Sequence, residues 1–359
     1  MVLNRFGPVA SIVLAAAALG AVAPVQARGQ QDYGIDFVTV GAVNNPAFTS
    51  TTPPGNRWPI NGSGSVSYEY RIGRTEITTA QWMAFVNTFN GTTAANAPPF
   101  FHWAGPFHWG AAPDPTYGGP GFRYALPASK PNAGMLPVYG ISWRECALYC
   151  NWLQGGQSSD PASLLTGAND VSTWGPGPQG SFTDALTHLP GAQFWIPTLD
   201  EQVKAFHYDP NRYGPGQGGY WLNKNMRDTT GIAGPPGVGQ TSAGYVDPNV
   251  NRGEMNIPLG AYPDQLSPWG LLDTSGGASE WDERAFPNIG LPGERGYFGG
   301  SAGFTSTADS IHAVSSGTPS SASIDRGFRV ASSVPSPGPC VTALATGLLA
   351  MSRRKRRST

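Results

Sequence analysis

The stretch SPWGLLDTSGGASEW, residues 267–281, decides the fold class because it combines two tryptophans with a glycine turn. Trp269 and Trp281 lie at its two ends, and large aromatic side chains in tight turns are typical of core positions. Asp273 and Glu280 bracket two adjacent glycines, which adopt tight-turn conformations at little steric cost. The segment therefore predicts irregular backbone that is anchored by buried aromatic rings.

The composition of the whole chain has the same character. Its 359 residues include 48 Gly, 34 Pro and 11 Trp, and aromatic residues make up 11%. This indicates a compact domain with much irregular backbone, held together by aromatic packing. Charged residues make up only 13%, against about 25% in typical domains, and the net charge is −1. Nucleic acid and acidic surfaces are therefore poor partners for the domain, because they would find no basic face on it.

Three helices are predicted by one N-terminal signature. In each, a Ser or Thr precedes a Glu or Gln at the spacing of a capping box, in which each side chain bonds the other residue's backbone amide. The pairs are Thr78 with Gln81, Ser142 with Glu145, and Thr198 with Glu201. The third helix is expected to end at Asp209, before Pro210.

Short strands are predicted between these helices, and long connections separate them. The strands are expected at 68–72, 194–196, 297–298 and 327–330. Segments 91–135 and 154–189 are rich in Gly, Pro and Ser and have no periodicity. The predicted class is α+β, with few helices, short strands and much irregular coil.

The cysteines and tryptophans are assigned by their place in these elements. Cys146 and Cys150 are four residues apart on one face of the second helix, and we interpret them as buried apolar thiols. Metal ligation and a strained bridge are the alternatives. The tryptophans expected in the core are Trp82, Trp143, Trp152, Trp269 and Trp281. Four lie in loops, where we expect exposure and where a carbohydrate or peptide platform is an alternative role: Trp103, Trp109, Trp174 and Trp221.

The N-terminus predicts export through the Sec pathway. Arg5 precedes an apolar run at 8–23, and small residues follow at the spacing that a signal peptidase requires. Residues 1–27 are therefore a predicted signal peptide, and the mature chain begins near Arg28. The alternative, a transmembrane anchor, requires a longer apolar span.

The C-terminus predicts a second targeting signal at 334–359. A Pro-Gly break is followed by an apolar run at 340–351, which includes Cys340, and by a basic cluster at 353–357. The run spans only about 18 Å, against about 30 Å for a bilayer core. It resembles a PEP-CTERM sorting signal, with Ser336 where that motif has glutamate. The resemblance implies an exosortase-type protease as partner, a bacterial cell-envelope location, and membrane contact through this segment alone; a disordered basic tail is the alternative.

Six blocks between residues 36 and 331 resemble formylglycine-generating enzymes, the sulfatase-modifying-factor family. In sequence order they are YRIGRTEITTAQWMAFVNTFN, LPVYGISWRECALYCNWL, FWIPTLDEQVKAF, SPWGLLDTSGGASEW, FGGS and GFRVA. The resemblance implies a single domain of the C-type-lectin-like superfamily, which we assign to residues 33–331.

The family's chemistry is missing from this chain. The resemblance implies oxidation of a sulfatase cysteine by oxygen, at a copper ion held by two cysteines after the GGS turn. Soft thiolates suit Cu(I), but the two positions are Phe304 and Asp309 here, and Phe298 replaces the usual arginine before the turn. Residues 151–339 contain no cysteine. No copper is therefore expected.

Other sites implied by the resemblance remain. The family binds a structural calcium at the matching block, which implies ligands from Asp273, the carbonyls of Gly276 and Ala278, and Glu280. Gly277 stands where the family has asparagine. The alternative is that the two acidic side chains cap the turn by accepting backbone amides.

Two further candidates are weaker. Ser301 matches the active-site serine of the family, but no histidine or acid is paired with it in the sequence. His102 and His108 are a possible metal half-site, and an aromatic-rich surface is the alternative. The other histidines, His188, His207 and His312, have no ligand-like neighbours in the sequence.

These observations predict an exported, envelope-anchored domain that is catalytically inactive and acts as a binding or structural module. Its expected ligand is extracellular polysaccharide or a surface protein. The alternative is an oxidoreductase that acts on protein cysteine, or another metal-dependent oxidase with an altered site.

Overall fold

A computed structural model of the chain describes residues 30–50, 60–89, 110–120, 123–245, 256–285, 292–303 and 306–335. Asp32–Val334 form one compact unit, and the two ends of the chain form another, of which only residues 30, 31 and 335 are described. No helix in the described ranges is long and apolar enough to cross a membrane.

All three predicted helices are confirmed. They are α1 (Thr79–Thr88), α2 (Trp143–Gln154) and α3 (Leu199–His207), and each begins with a complete capping box. In α3, the Glu201 amide donates to the Thr198 hydroxyl at 3.2 Å, and the Thr198 amide donates to the Glu201 carboxylate at 2.8 Å. The expected end of α3 at Asp209 is wrong, because Tyr208 turns to extended backbone and begins a hairpin.

Two four-stranded sheets organise the unit. In the first sheet the order is β1-β2-β12-β5, with antiparallel neighbours throughout; in the second the order is β10-β9-β8-β11, in which only the β8–β11 pair is parallel. Two short hairpins, β3–β4 and β6–β7, complete the strands of the described residues. The strands are β1 (Phe37–Val40), β2 (Tyr70–Gly73), β3 (Ala112–Pro113), β4 (Tyr124–Ala125), β5 (Phe194–Trp195), β6 (Tyr208–Asp209), β7 (Gly219–Tyr220), β8 (Ser279–Ala285), β9 (Arg295–Phe298), β10 (Val314–Gly317), β11 (Arg326–Gly327) and β12 (Ala331–Ser333).

The segment GFRVA connects the two sheets. We expected one strand at 327–330, but β11 ends at Gly327 in the second sheet and β12 begins at Ala331 in the first. Between them, the carbonyls of Phe328 and Val330 accept from the amides of Ile77 and Gly73. Arg329 therefore lies at the crossing between the sheets, and that prediction is wrong in its boundaries.

Aromatic side chains of α1 and α2 form the first core cluster. Trp82 stacks on Tyr149 with ring centroids 5.7 Å apart, and the ring of Phe328 meets both nearly edge-on. Cys146 and Cys150 are buried, free thiols in the same cluster, as predicted.

A second core cluster lies between the first sheet and α3. Tyr70 and Ile72 of β2 are fully buried there with Phe206 of α3 and Phe298 of β9, and the rings of Phe206 and Phe298 stack at 6.0 Å. The buried tryptophans follow the prediction for Trp82, Trp143, Trp152 and Trp281, whereas Trp269 is partly buried against this cluster.

The connection 154–189 contains short 3-10 helices at Pro161–Leu164, Val171–Thr173 and Pro178–Gly180. Trp174, which was expected to be exposed, is only 8% exposed. It packs against the ring of Trp143 and under the guanidinium of Arg144, so the expectation is wrong. Trp221 is partly buried, and Trp103 and Trp109 lie outside the described residues.

Candidate functional site

A buried arginine lies between the two acidic residues of the glycine turn. Both carboxylate oxygens of Glu280 accept from Arg329, at 2.9 to 3.0 Å, and both side chains are almost completely buried. Arg329 also donates to the carbonyl oxygens of Gly73, Arg74 and Asp273. Its guanidinium therefore connects β2 and the turn to the crossing segment.

Asp273 has a left-handed backbone, with φ of 52°, and its carboxylate accepts from the Gly260 amide at 2.6 Å. Burial raises the pKa of Asp273 to about 6, although the Gly260 bond and Arg329 oppose the shift. Accepting a backbone amide is what a turn-capping role requires.

Glu76 is a member of this cluster that sequence reasoning missed. Both of its carboxylate oxygens are 3.2 Å from the Ala278 amide, and it is 1% exposed. A Cβ at Gly277 would lie 2.4 Å from Glu76 Oε1, which explains glycine at this position. Burial and the neighbouring Glu280 raise the pKa of Glu76 well above its ordinary value. No sequence signal links the two, because they are 202 positions apart.

A calcium ion at this cluster would compete with Arg329 for the same oxygen atoms. Glu76, Asp273 and Glu280 supply hard oxygen atoms near Arg329, but both oxygens of Glu280 already accept from that guanidinium. Among the described residues, no group of three or more His, Cys, Asp or Glu side chains has the geometry of a metal site. Calcium at Asp273, Gly276, Ala278 and Glu280 stays a prediction, and such a site would require Glu280 to release Arg329 at least in part.

The Gly299–Gly300–Ser301 turn, where the copper site would be expected, is lined by oxygen atoms. Asp309 is buried, and its carboxylate accepts from the Gly300 amide at 3.1 Å and from the Ser275 hydroxyl at 2.5 Å. The Ser275 hydroxyl also lies 2.6 Å from the Thr241 hydroxyl. Burial raises the pKa of Asp309, against the opposing effect of Lys224.

Ser301 is fully buried, and its hydroxyl has no hydrogen-bond partner within the part of the chain that the structure describes. Neither a histidine nor a carboxylate is therefore in place there to activate it. Phe304, His102 and His108 lie outside the described residues.

Lys224 supplies the cation of this turn, and no motif in the sequence pointed to it. It is 2% exposed, and its ammonium lies 4.7 Å from the ring centre of Phe206 and 4.9 Å from that of Phe298. A Cβ at Gly299 would come 2.1 Å from the ammonium, so glycine leaves room for it. Burial lowers the pKa of Lys224, and Asp309 opposes that shift. Phe298, in place of the family's arginine, thus faces a cation instead of supplying one.

These groups do not fit copper. Cu(I) prefers thiolate ligands, whereas Asp309 offers a hard carboxylate that already accepts two hydrogen bonds and has an ammonium nearby. Cys146 and Cys150 belong to the helical core cluster, and burial raises the pKa of both thiols well above the ordinary value. They are therefore protonated thiols instead of available thiolates.

The three comparisons with known proteins address the family and the fold. Residues 63–334 match the family described as "Sulfatase-modifying factor enzyme 1-like domain", and no curated protein matches the chain significantly. Among solved structures, one titled "Crystal Structure of CarF" is 18% identical, with a TM-score of 0.49, over 84% of this chain and 99% of that one.

Two other solved structures are similar to the chain. The Treponema denticola variable protein 1 is 17% identical, with a TM-score of 0.47, over 86% of this chain and 99% of that one. PvdO from Pseudomonas aeruginosa is 13% identical, with a TM-score of 0.38, over 75% of this chain and 82% of that one. The family match covers more than half of the chain, and the few helices, short strands and mixed sheets agree with the predicted α+β, C-type-lectin-like class. The chain belongs to the sulfatase-modifying factor enzyme 1-like family, the family of the formylglycine-generating enzymes.

Proposed function

We propose that this chain is an exported member of its family that has lost cysteine oxidation and acts as a binding or structural module on the cell envelope. The observation that carries the proposal is the chemistry beside the Gly299 turn. There, an acceptor carboxylate and a lysine ammonium stand where a pair of thiolates is needed.

The electrostatics of the turn support the same conclusion. The buried ammonium of Lys224 disfavours a second cation beside it, because like charges repel strongly where water is excluded. The two hydrogen bonds to Asp309 hold its oxygens toward Gly300 and Ser275. A metal ligand would have to give up these partners first.

Export and sorting rest on the terminal sequences. The signal-like segment at 1–27 and the sorting-like segment at 334–359 support delivery to the envelope of a bacterium and processing by an exosortase-type protease. The low charge and the aromatic-rich loops suit extracellular polysaccharide or a surface protein as ligand. Mass spectrometry of the protein from envelope fractions tests this part, and intact termini would contradict it.

The catalytic part is tested with a substrate-like peptide. The purified full-length protein is incubated with Cu(I), oxygen and a peptide that contains Cys-x-Pro-x-Arg, and the peptide mass is followed. We expect no conversion. Loss of mass that corresponds to formylglycine would overturn the proposal and favour the alternative, an oxidoreductase that acts on protein cysteine.

A control removes the thiols of this chain from the assay. The same incubation is run with Cys146, Cys150 and Cys340 replaced by Ser, so that copper bound adventitiously to these residues does not contribute. Conversion by both proteins would point to an oxidase site near Ser301, and conversion by the parent alone would point to the thiols themselves.

A further inference from the structure

A cleft of about 440 Å³ lies beside the start of α3. Its lining includes Leu186 and Thr187, from the connection 154–189, and Glu283 of β8. The next residue of the connection is His188, and it binds Glu283. The contact between His188 and Glu283 therefore joins two parts of the cleft lining that are distant in the chain.

His188 holds the Glu283 carboxylate with two nitrogen atoms. Its backbone amide donates to Glu283 Oε1, and Nδ1 of its ring is 2.9 Å from both carboxylate oxygens. The Glu283 side chain is 3% exposed, and that of His188 is 24% exposed. A hydrogen bond between two charged groups is stronger than one between neutral groups, so the strength of this contact depends on the proton of the ring.

Two neighbours fix the ring and its charge. It stacks on Trp195 with centroids 4.8 Å apart, and the Trp195 indole donates to the buried Glu201 carboxylate at 3.0 Å. Burial lowers the pKa of His188, but the hydrogen bond to Glu283 and the charges of Glu283 and Glu201 outweigh it. The pKa is therefore raised above its ordinary value of 6.5.

The other charged groups of the surrounding elements are engaged in contacts of their own. Arg295 donates to the carbonyls of Ala185, Leu186 and Glu283, Asp184 pairs with Arg144, Asp200 accepts from the Gly64 amide, Asp282 accepts from the Arg284 amide, and the Arg284 side chain donates to Ser63. Asp282 is a second group that changes charge near neutrality, because burial raises its pKa to about 7. A test of His188 has to separate the two.

Backbone contacts on both sides of His188 limit what can move. Before it, Arg295 binds the carbonyls of Ala185 and Leu186. After it, the Leu189 amide donates to the Ala168 carbonyl at 2.8 Å. Residues 187–188 lie between these two points, so a weaker contact with Glu283 acts on the cleft at this place.

We propose that His188 is a pH-dependent clasp, which holds residues 187–188 on Glu283 while its ring is protonated and releases this part of the cleft lining when the proton is lost. A neutral ring keeps one N–H, but Glu283 is then buried without a positive partner. The stabilisation is fully present below about pH 6.5 and is lost as the pH rises through the higher pKa of the folded state. The clasp does not depend on the proposed loss of cysteine oxidation.

The first test is a pH titration of the imidazole nitrogens by NMR on the full-length protein, between pH 5.5 and 9. The chain has five His, and His188→Gln identifies the signals of His188 by their loss. We expect its midpoint above 6.5. Glu283→Gln should lower that midpoint by about one pH unit or more, a tenfold change in the protonation constant, because the ring stays buried and loses its carboxylate partner.

The second test is hydrogen exchange of the amide at position 188, which donates to Glu283. Its protection factor should fall about tenfold between pH 6 and 8.5 in the parent protein, because a charged contact becomes a weaker one. In His188→Gln it should not change with pH. Asp282→Asn removes the second titrating group and should leave the fall in place.

His312→Gln is the matched control, since His312 is also half-buried and its ring lies 5.4 Å from that of Phe48. It should change neither the midpoint of His188 nor the exchange at position 188. A parent midpoint at or below 6.5 overturns the clasp, and this result needs no variant to fold. An unchanged midpoint in Glu283→Gln, an equal fall in protection in His188→Gln, or no fall in Asp282→Asn also overturns it. Oxidation of the cysteine peptide overturns the proposed function alone.

Discussion

The two glycine turns of this domain both place a buried basic side chain beside acidic residues, but in different ways. Arg329 donates six hydrogen bonds, three to carbonyl groups and three to the Glu280 carboxylate, and its place at the sheet crossing provides the geometry. The backbone amide of Lys224 donates to the Asp309 carbonyl, and its ammonium rests between two aromatic rings near Asp309. No hydrogen bond or ion pair joins this ammonium to the residues that the structure describes. Arg329 is thus part of the connection between the two sheets. Lys224 lies instead at the turn where the resemblance places the family's copper site.

This difference predicts that replacing Arg329 and replacing Lys224 lower the free energy of unfolding by unequal amounts. A buried charge with a complete set of partners leaves those partners uncompensated when it is lost. Replacing a buried ammonium that has no acceptors costs less stability, because its interactions in the folded state only partly offset the free energy of removing it from water. Substitutions at the two turns should therefore show which of the two buried charges the folded state requires and which can be replaced with little loss of stability.

The largest effect is expected at the Arg329 turn. Arg329→Met should lower the free energy of unfolding by about 3–5 kcal/mol, because it leaves the buried Glu280 carboxylate without its positively charged partner. Urea unfolding followed by tryptophan fluorescence measures it. Arg74→Met is the control, since its partner Asp36 is largely exposed and the cost of losing that ion pair should stay below about 1 kcal/mol. Equal losses of unfolding free energy in the two variants would show that the buried ion pair of Arg329 contributes no more to stability than the exposed one of Arg74.

The pH dependence of the same turn is the next largest effect. The folded pKa of Asp273, about 6, is above its ordinary value of 3.8, so the folded state binds this proton more tightly than the unfolded state. Its contribution is fully present below pH 4 and is lost as the pH rises through 6, which amounts to about 3 kcal/mol. Asp273→Asn should flatten the stability profile between pH 4 and 6. An unchanged profile would show that Asp273 ionises normally.

Backbone geometry at Gly277 should give a moderate effect. Its φ is 59°, and an added Cβ would collide with Glu76, so Gly277→Ala should cost about 2 kcal/mol or more. Gly191 also has positive φ, but nothing lies within 4 Å of an added Cβ. Gly191→Ala therefore measures the backbone strain alone. Similar thermal shifts in both variants would mean that Glu76 does not restrict the turn.

The smallest effect is expected at Lys224. Lys224→Met should cost about 1 kcal/mol or less at pH 5, and Asp309 should then have a higher pKa because Lys224 lowers it. A carboxyl whose pKa is raised in the folded state stabilises that state at low pH. The loss of stability caused by Lys224→Met should therefore grow as the pH rises toward 8. Denaturant titrations at the two pH values measure this. A loss as large as that of Arg329→Met would make Lys224 structural and contradict the comparison.

How far the sequence predicts the molecule depends on the range of each interaction. Capping boxes are local, and the three helices follow from them. The strand β8 was missed because Ser279–Ala285 is mostly charged and polar. The tertiary fold buries residues 279–283 although their sequence does not alternate between apolar and polar side chains. Glu76 and Lys224 were missed for the same reason, since each meets its turn only through contacts distant in the chain.

The candidate sites divide in the same way. Absence of thiols beside the Gly299 turn is a local fact of the sequence, and the oxygen-lined geometry is consistent with it. The cleft beside the start of α3 is lined by residues between 61 and 284, and no motif marks it. Long-range juxtaposition of this kind requires the structure.

Copper affinity is the most direct measure of the central claim, which is that polar oxygen and ammonium groups have replaced the metal chemistry of the family. A triple variant with Cys146, Cys150 and Cys340 replaced by Ser is titrated with Cu(I) against a chromophoric chelator. We predict that the chelator retains all of the copper. One equivalent held by the protein, and released when Ser301 is changed to Ala, would contradict the account.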